Sequence, residues 1–204
     1  MKILHIYGAS GHAKVVAETF MQDSKGYDVL FLDDDLSKDI CLGRKILNNT
    51  DCLKDFQGDF VVGIGYNNIR KIIVEKIISQ VRFTASIKHA TSVISNSAVV
   101  GDGTVVLANA VINAEAFIGK HVIVNTAAVI EHDCVVQDYA HISPGALLAG
   151  NVFVGEGSHI GIGAQIIQGV KIGKWCTIGA GTVVIKDVPD GAKVVGNPGR
   201  IINK

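Results

Sequence analysis

The sequence predicts a small α/β domain with a Rossmann-like parallel sheet, followed by a parallel β-solenoid of hexapeptide repeats. Two observations carry this prediction. Residues 1 to about 85 alternate short apolar runs with stretches of helical spacing, the pattern of strands joined by right-handed crossovers. From residue 94 an aliphatic side chain recurs at every sixth position, through Ile94, Val100, Val106, Ile112, Ile118, Val124, Ile130, Val136, Ile142, Leu148, Val154, Ile160, Ile166, Ile172, Ile178 and Val184. A fixed short period without a slip is the sign of a solenoid.

In the first part, "KILHIYG" is a short apolar run ending in glycine, a buried strand. "GHAKVVAETFMQD" follows with helical spacing. "VLFLDDD" is a second strand ending in acids, "DFVVGIG" a third, and "NNIRKIIVEKIISQ" a second helix. In the second part, a small residue precedes most of the aliphatics by two, as at Ala98, Thr104, Ala128, Cys134 and Ser158. Strand alternation points both inward. Glycine often follows the aliphatic, as at Gly101, Gly119 and Gly155, and reads as a corner residue suited to unusual backbone angles.

Composition narrows the function classes. The 19 basic and 19 acidic residues cancel, so no basic excess points to nucleic acid. No segment has the apolar length of a membrane span or a secretory signal. Cys41, Cys52, Cys134 and Cys176 form no CxxC pair or zinc spacing. A reduced, soluble, cytoplasmic protein is expected.

The repeat resembles the hexapeptide-repeat left-handed β-helix of acyltransferases. In that fold three hexapeptides make one triangular coil, so residues about eighteen apart stack, and residues 94–186 give roughly five coils. Sorting the outward positions by that interval gives three faces. The first is Val99, Phe117, Val135, Phe153 and Lys171; the second is Val105, Ile123, His141, His159 and Thr177; the third is Val93, Val111, Val129, Leu147, Gln165 and Val183. So much outward apolar surface marks an interface. The family's trimers, with parallel helix axes, fit it; an N-terminal domain folded back onto the helix is the other cause.

His132 falls on a corner between the third and first faces, flanked by Glu131 and Asp133. A lone corner histidine is a surface or interface residue, or a general base whose imidazole a carboxylate orients. "GASGHA", "FLDDD", "GIGYNNIRK", "IKHATS" and "NTAAVIEHDC" together resemble bacterial nucleotide-sugar N-acetyltransferases that make bacillosamine and related 4-amino sugars, relatives of sialic-acid O-acetyltransferases. The resemblance spans nearly the whole chain. It implies two domains, residues 1–85 binding nucleotide-sugar and residues 86–204 binding acetyl-CoA and carrying catalysis. It implies a homotrimer with active sites at subunit interfaces and no metal.

It also implies site residues. His132 is the base that takes a proton from the sugar amine, and Asp133, often Glu in relatives, polarises it. Gly8, Ser10, Gly11 and His12 form the turn that meets the nucleotide-sugar, with Asp33 and Asp34 near the nucleoside. Gly65, Asn67 and Arg70 form a further loop-to-helix entry on the substrate side, and Asn125 lies near the sugar. His141 lies near the acetyl group or pantetheine, Gly150 and Ile162 offer backbone to coenzyme A, and Lys186 and Arg200 meet its phosphates. Ser10 replaces the middle glycine of GxGxxG, so a plain dinucleotide site is disfavoured. Three alternatives stay open: sugar O-acetylation, a zinc enzyme of the γ-carbonic anhydrase type drawing on His121, His132, His141 and His159, and a non-catalytic nucleotide-sugar sensor.

Overall fold

The computed structural model describes residues 2–23, 26–48, 50, 53–54 and 56–202, so Cys52 lies outside the described residues. The first part comprises β1 (Lys2–Tyr7), α1 (Gly11–Asp23), β2 (Tyr27–Leu32), β3 (Ile40–Cys41), β4 (Arg44–Leu47), β5 (Asp59–Val62), α2 (Asn67–Ile77) and β6 (Arg82–Phe83). The sheet order is β3-β4-β2-β1-β5-β6. Only β3 and β4 pair antiparallel. The three apolar runs form its centre. The β3–β4 hairpin and β6 are too short to show a period.

β1 lies between β2 and β5, so the chain leaves it first to one side and later to the other. This reversal opens a crevice beyond the carboxyl ends of the strands. The turn after β1, the acids after β2 and the loop after β5 all reach it. Helix α1 buries Ala13, Val16 and Ala17, an i, i+3, i+4 stripe. One apolar cluster joins that stripe to Leu4, Ile6 and Phe31 of the sheet and to Ile87, Val105 and Leu107 of the solenoid.

The solenoid has three parallel sheets, of eight, six and five strands, the eight including a terminal hairpin. Val105 pairs with Ile123, Val111 with Val129 and Phe117 with Val135. The three faces sorted from sequence are therefore the three sheets. The solenoid starts earlier than the aliphatic series, since Ile87–Lys88 already pairs with Val105–Val106. Lys88 holds the in-phase position there and is exposed, which hides that rung from the pattern. At the far end Lys193–Val195 and Arg200–Ile202 close the second face as an antiparallel hairpin.

The inward aliphatics form one buried column; truncating one, as in Ile130→Ala, costs about 2–5 kcal/mol. The inward hydroxyls of Thr104 and Ser158 are satisfied between coils, while that of Thr182 has no partner among the described residues. Thr104 Oγ1 donates to the Gly119 carbonyl (2.7 Å) and accepts from the Val122 amide (3.0 Å).

The corners correct one expectation. The residue that takes left-handed φ is every sixth one from Gly103 to Gly181, with φ between 53° and 73°. Eight are not glycine, Ala127, Asp133 and Trp175 among them, at a cost of about 1–2 kcal/mol each. Gly101 and Gly155, which follow the aliphatics, are absent from that series and serve close approach instead. A Cβ on Gly101 would lie 2.7 Å from the Gly119 carbonyl oxygen, and one on Gly155 2.6 Å from that of Gly173.

The N-terminal domain covers part of the apolar surface and leaves the rest open. Ile87, Val105 and Ile123 of the second face are buried, the first two in the cluster shared with α1. Val99 and Phe117 of the first face, and Val93 and Leu147 of the third, stay exposed.

Candidate active site

A cleft of about 800 Å³ lies between the crevice of the sheet and the second face of the solenoid. Gly8, Ser10, Gly11, His12, Asp33, Gly65 and Asn67 line one wall; His141, His159, Trp175 and Thr177 line the other. Gly8 has φ 111°, which only glycine adopts readily. The amide of Ala9 donates to Asp33 Oδ2 (2.8 Å), fixing the turn. Helix α1 then begins at Gly11, presenting free backbone N–H groups and a positive dipole end to the cleft.

Several cleft residues carried no expected role at the nucleotide-sugar or coenzyme A site. Lys38 donates to Asp33 Oδ2 (2.8 Å) and Ser10 Oγ (3.1 Å), bridging the two binding turns. His159 stacks on His141, with ring centroids 4.9 Å apart, and shares a 2.7 Å hydrogen bond with Ser143 Oγ. Its signal was present, because it falls eighteen residues after His141. Trp175, the only tryptophan, lies across Gly157, where any side chain would collide with its ring.

Burial, with the charges of His159 and Arg70, pushes His141 down to about 3. Burial, reinforced by Arg70, pushes His12 down to about 4. Both imidazoles are neutral at physiological pH. Asn125 Nδ2 lies 3.0 Å from His141 Nε2; with the amide donating, the ring N–H sits on Nδ1. Asn125 thus touches the cleft through His141.

Two expectations are corrected. Asp34 points away from the cleft, accepting from Tyr7 Oη (2.7 Å) and from Thr50, beside Lys76. Strand alternation puts neighbouring acids at a strand end on opposite sides. Arg70 does not line the cleft. It is 1% exposed and its donors are taken by protein acceptors.

His132 and Asp133 lie elsewhere, on the edge between the third and first faces, opposite the second face in triangular cross-section. Their side chains are 62% and 59% exposed, with His132 Nδ1 2.7 Å from Asp133 Oδ2. That contact orients the ring and leaves Nε2 free. Gly150 stacks on His132, its carbonyl one coil further along the same edge, and exposed Lys186 ends that edge. Ile162 is on another edge, between the second and third faces, and is 62% exposed. Arg200 is exposed on the terminal hairpin.

The four histidines considered for zinc do not converge. His121 is buried against Phe83 and Tyr139, His132 is on the far edge, and only His141 and His159 meet. Among the described residues no group of three His, Cys, Asp or Glu side chains is placed to hold a metal, and no helix is long and apolar enough to cross a membrane.

Residues 3–77 match the PglD N-terminal domain, and residues 151–186 match the bacterial transferase hexapeptide family of six repeats. No curated protein sequence matches the chain. Among solved structures, the acetyltransferase domain of PglB from Neisseria gonorrhoeae FA1090, in complex with acetyl coenzyme A, is 38% identical, with TM-score 0.92 over 98% of this chain and 99% of that one. PerB from Caulobacter crescentus, in complex with CoA and GDP-perosamine, is 35% identical, with TM-score 0.92 over 98% and 97%. WeeI from Acinetobacter baumannii AYE is 31% identical, with TM-score 0.87 over 99% and 100%. By both domains and by identity along nearly its whole length, the chain belongs to the bacterial nucleotide-sugar N-acetyltransferases built on a hexapeptide-repeat left-handed β-helix.

Proposed function

We propose that the protein transfers the acetyl group of acetyl-CoA to the 4-amino group of a nucleotide-linked amino sugar, with His132 as general base. The observation that carries this is the exposed His132–Asp133 pair, whose 2.7 Å contact holds Nδ1 and frees Nε2. The amine nitrogen attacks the thioester carbonyl carbon directly. Its N–C bond forms as His132 Nε2 takes the amine proton. The C–S bond then breaks, and the thiolate of coenzyme A recovers a proton from the imidazolium. No acyl-enzyme is required.

The cleft, with Gly8, Ser10, Gly11, His12, Asp33, Gly65 and Asn67, takes the nucleotide-sugar. In one chain that cleft and His132 are on opposite sides of the solenoid, so the working site needs a second copy. The exposed apolar faces, with Val93, Val99, Phe117 and Leu147, support a homotrimer with parallel axes. There the His132–Gly150–Lys186 edge of one copy meets the Asn125–Ile162 edge of the next, with coenzyme A between them and Arg200 as a further partner for its phosphates.

The division falls near residues 85 and 86. Uridine diphosphate is the proposed carrier, a bacillosamine-type sugar the acceptor, and surface glycan synthesis the setting. The buried free thiols Cys41, Cys134 and Cys176 suit a reducing cytoplasm. Incubating the protein with acetyl-CoA and UDP-, dTDP- or GDP-linked 4-amino sugars, and following thiol release and product mass, tests the reading. N-acetylated nucleotide sugar is the expected product. Acetylation confined to free sugar hydroxyls overturns it.

A further inference from the structure

Helix α2 starts at the rim of the cleft, and Arg70 in its first turn is buried. Its Nε donates to the His121 carbonyl (2.8 Å). Nη1 donates to the carbonyls of Ile64 (3.0 Å) and Gly65 (3.2 Å). Nη2 donates to Asn67 Oδ1 (2.9 Å) and to the carbonyls of Tyr139 (2.7 Å) and Ala140 (3.3 Å). Asn67 Nδ2 in turn donates to the Gly157 carbonyl (3.0 Å) and lies 3.3 Å from that of Ser158. His121, Tyr139 and Gly157 are corner residues of three successive coils. One guanidinium and one amide therefore fasten the substrate loop to three coils of the opposite wall.

None of these partners is a carboxylate. A buried cation without a counter-charge is costly, and the imidazoles of His12 and His141 beside it are neutral. The Gly65 carbonyl that Arg70 holds belongs to a residue lining the cleft. An anion seated there would supply the missing counter-charge from the far side of that peptide.

We propose that Arg70 is a positioning residue that sets the spacing of the two cleft walls and holds an unpaired positive charge behind the seat of a nucleoside diphosphate. This rests on the nucleotide-sugar reading above. Lysine cannot substitute, because an ammonium has three donors and no planar fork. It keeps the charge and loses the clamp, whereas glutamine loses both.

The test measures KM for each substrate, and dissociation constants of UDP against uridine and GDP against guanosine, in wild type, Arg70→Lys and Arg70→Gln. Both variants should raise the nucleotide-sugar KM about tenfold while the acetyl-CoA KM stays within about twofold. Arg70→Lys should keep the preference for diphosphate over nucleoside, and Arg70→Gln should lose about tenfold of it. An unchanged nucleotide-sugar KM, a parallel rise in both KM values, or an intact diphosphate preference in Arg70→Gln overturns the proposal. Should neither variant fold, Lys38→Met decides. It must keep at least about a tenfold diphosphate preference at 0.15 M salt, and loss of that preference would assign all of it to Lys38. A wild type that binds the diphosphates yet acetylates no nucleotide sugar defeats the transferase reading and leaves the binding test of Arg70 standing.

Discussion

Gly150 lies one coil beyond His132, and a methyl group placed on it would sit 2.6 Å from His132 Cε1 and 2.7 Å from Nε2. The ring is seated on a bare backbone. Because Gly150 has no left-handed φ, alanine there is unstrained by conformation, and the exposed imidazole can swing aside. Gly150→Ala should lower kcat about tenfold to a hundredfold through misplacement of the base, with Tm nearly unchanged. Full activity in the alanine variant would show that the ring position seen here is not the working one.

Removing the base is the sharper version. His132→Ala should cost about 10²–10⁴ in kcat with little change in Tm, since 62% of the side chain is exposed. Wild-type turnover by that variant removes His132 from the mechanism.

Asp133 has φ 60°, a conformation asparagine tolerates better than alanine. Asp133→Asn therefore isolates the lost charge and keeps the corner. It should reduce kcat by about an order of magnitude, while Asp133→Ala should also lower Tm. Equal Tm values for the two variants would contradict the corner argument.

Burial pushes His12 and His121 down to about 4 and His141 down to about 3. In the unfolded chain these groups bind protons below about pH 6.5. Between about pH 4 and 6.5 the unfolded state therefore holds more protons, and stability falls as pH falls. Tm should drop from neutral pH towards pH 5. His121→Phe keeps an aromatic ring against Tyr139, stacked at 5.6 Å in the wild type, and should flatten that slope. Parallel Tm–pH curves for variant and wild type would refute the assignment.

Phe117, 48% exposed on the first face, tests the proposed trimer. Phe117→Asp should shift sedimentation from trimer to monomer and abolish most activity while circular dichroism stays native. A monomeric, fully active variant would place the whole site within one chain.

Most of the fold could be read from the sequence because its period is strict. The period gives the inward rungs, and the eighteen-residue coil implied by the family resemblance then gives the register of the three sheets, in which His141 pairs with His159. Lys88 concealed the first rung because a polar residue occupied the phase position. The candidate base was visible as a histidine between two acids. Arg70 was not interpretable, since only tertiary contact shows that carbonyls of its own loop and of two coils surround it. Asp33 and Asp34 looked equivalent, and strand alternation alone separates them. Lys38 lies outside the repeats, and Trp175, though it holds one of the sixth-residue corners, gave no sign of a cleft role, because cleft residues on turns answer to the ligand and not to the core.

The corner series has a consequence for how such a protein can change. The apolar packing resides in the inward column, and His132 and Asp133 occupy corner positions outside it. Replacing a corner side chain leaves the column intact, provided the backbone accepts its left-handed turn. Chemistry on this scaffold is thus interchangeable at low structural risk, and the same coils can host a different reaction after exchange of a few edge residues.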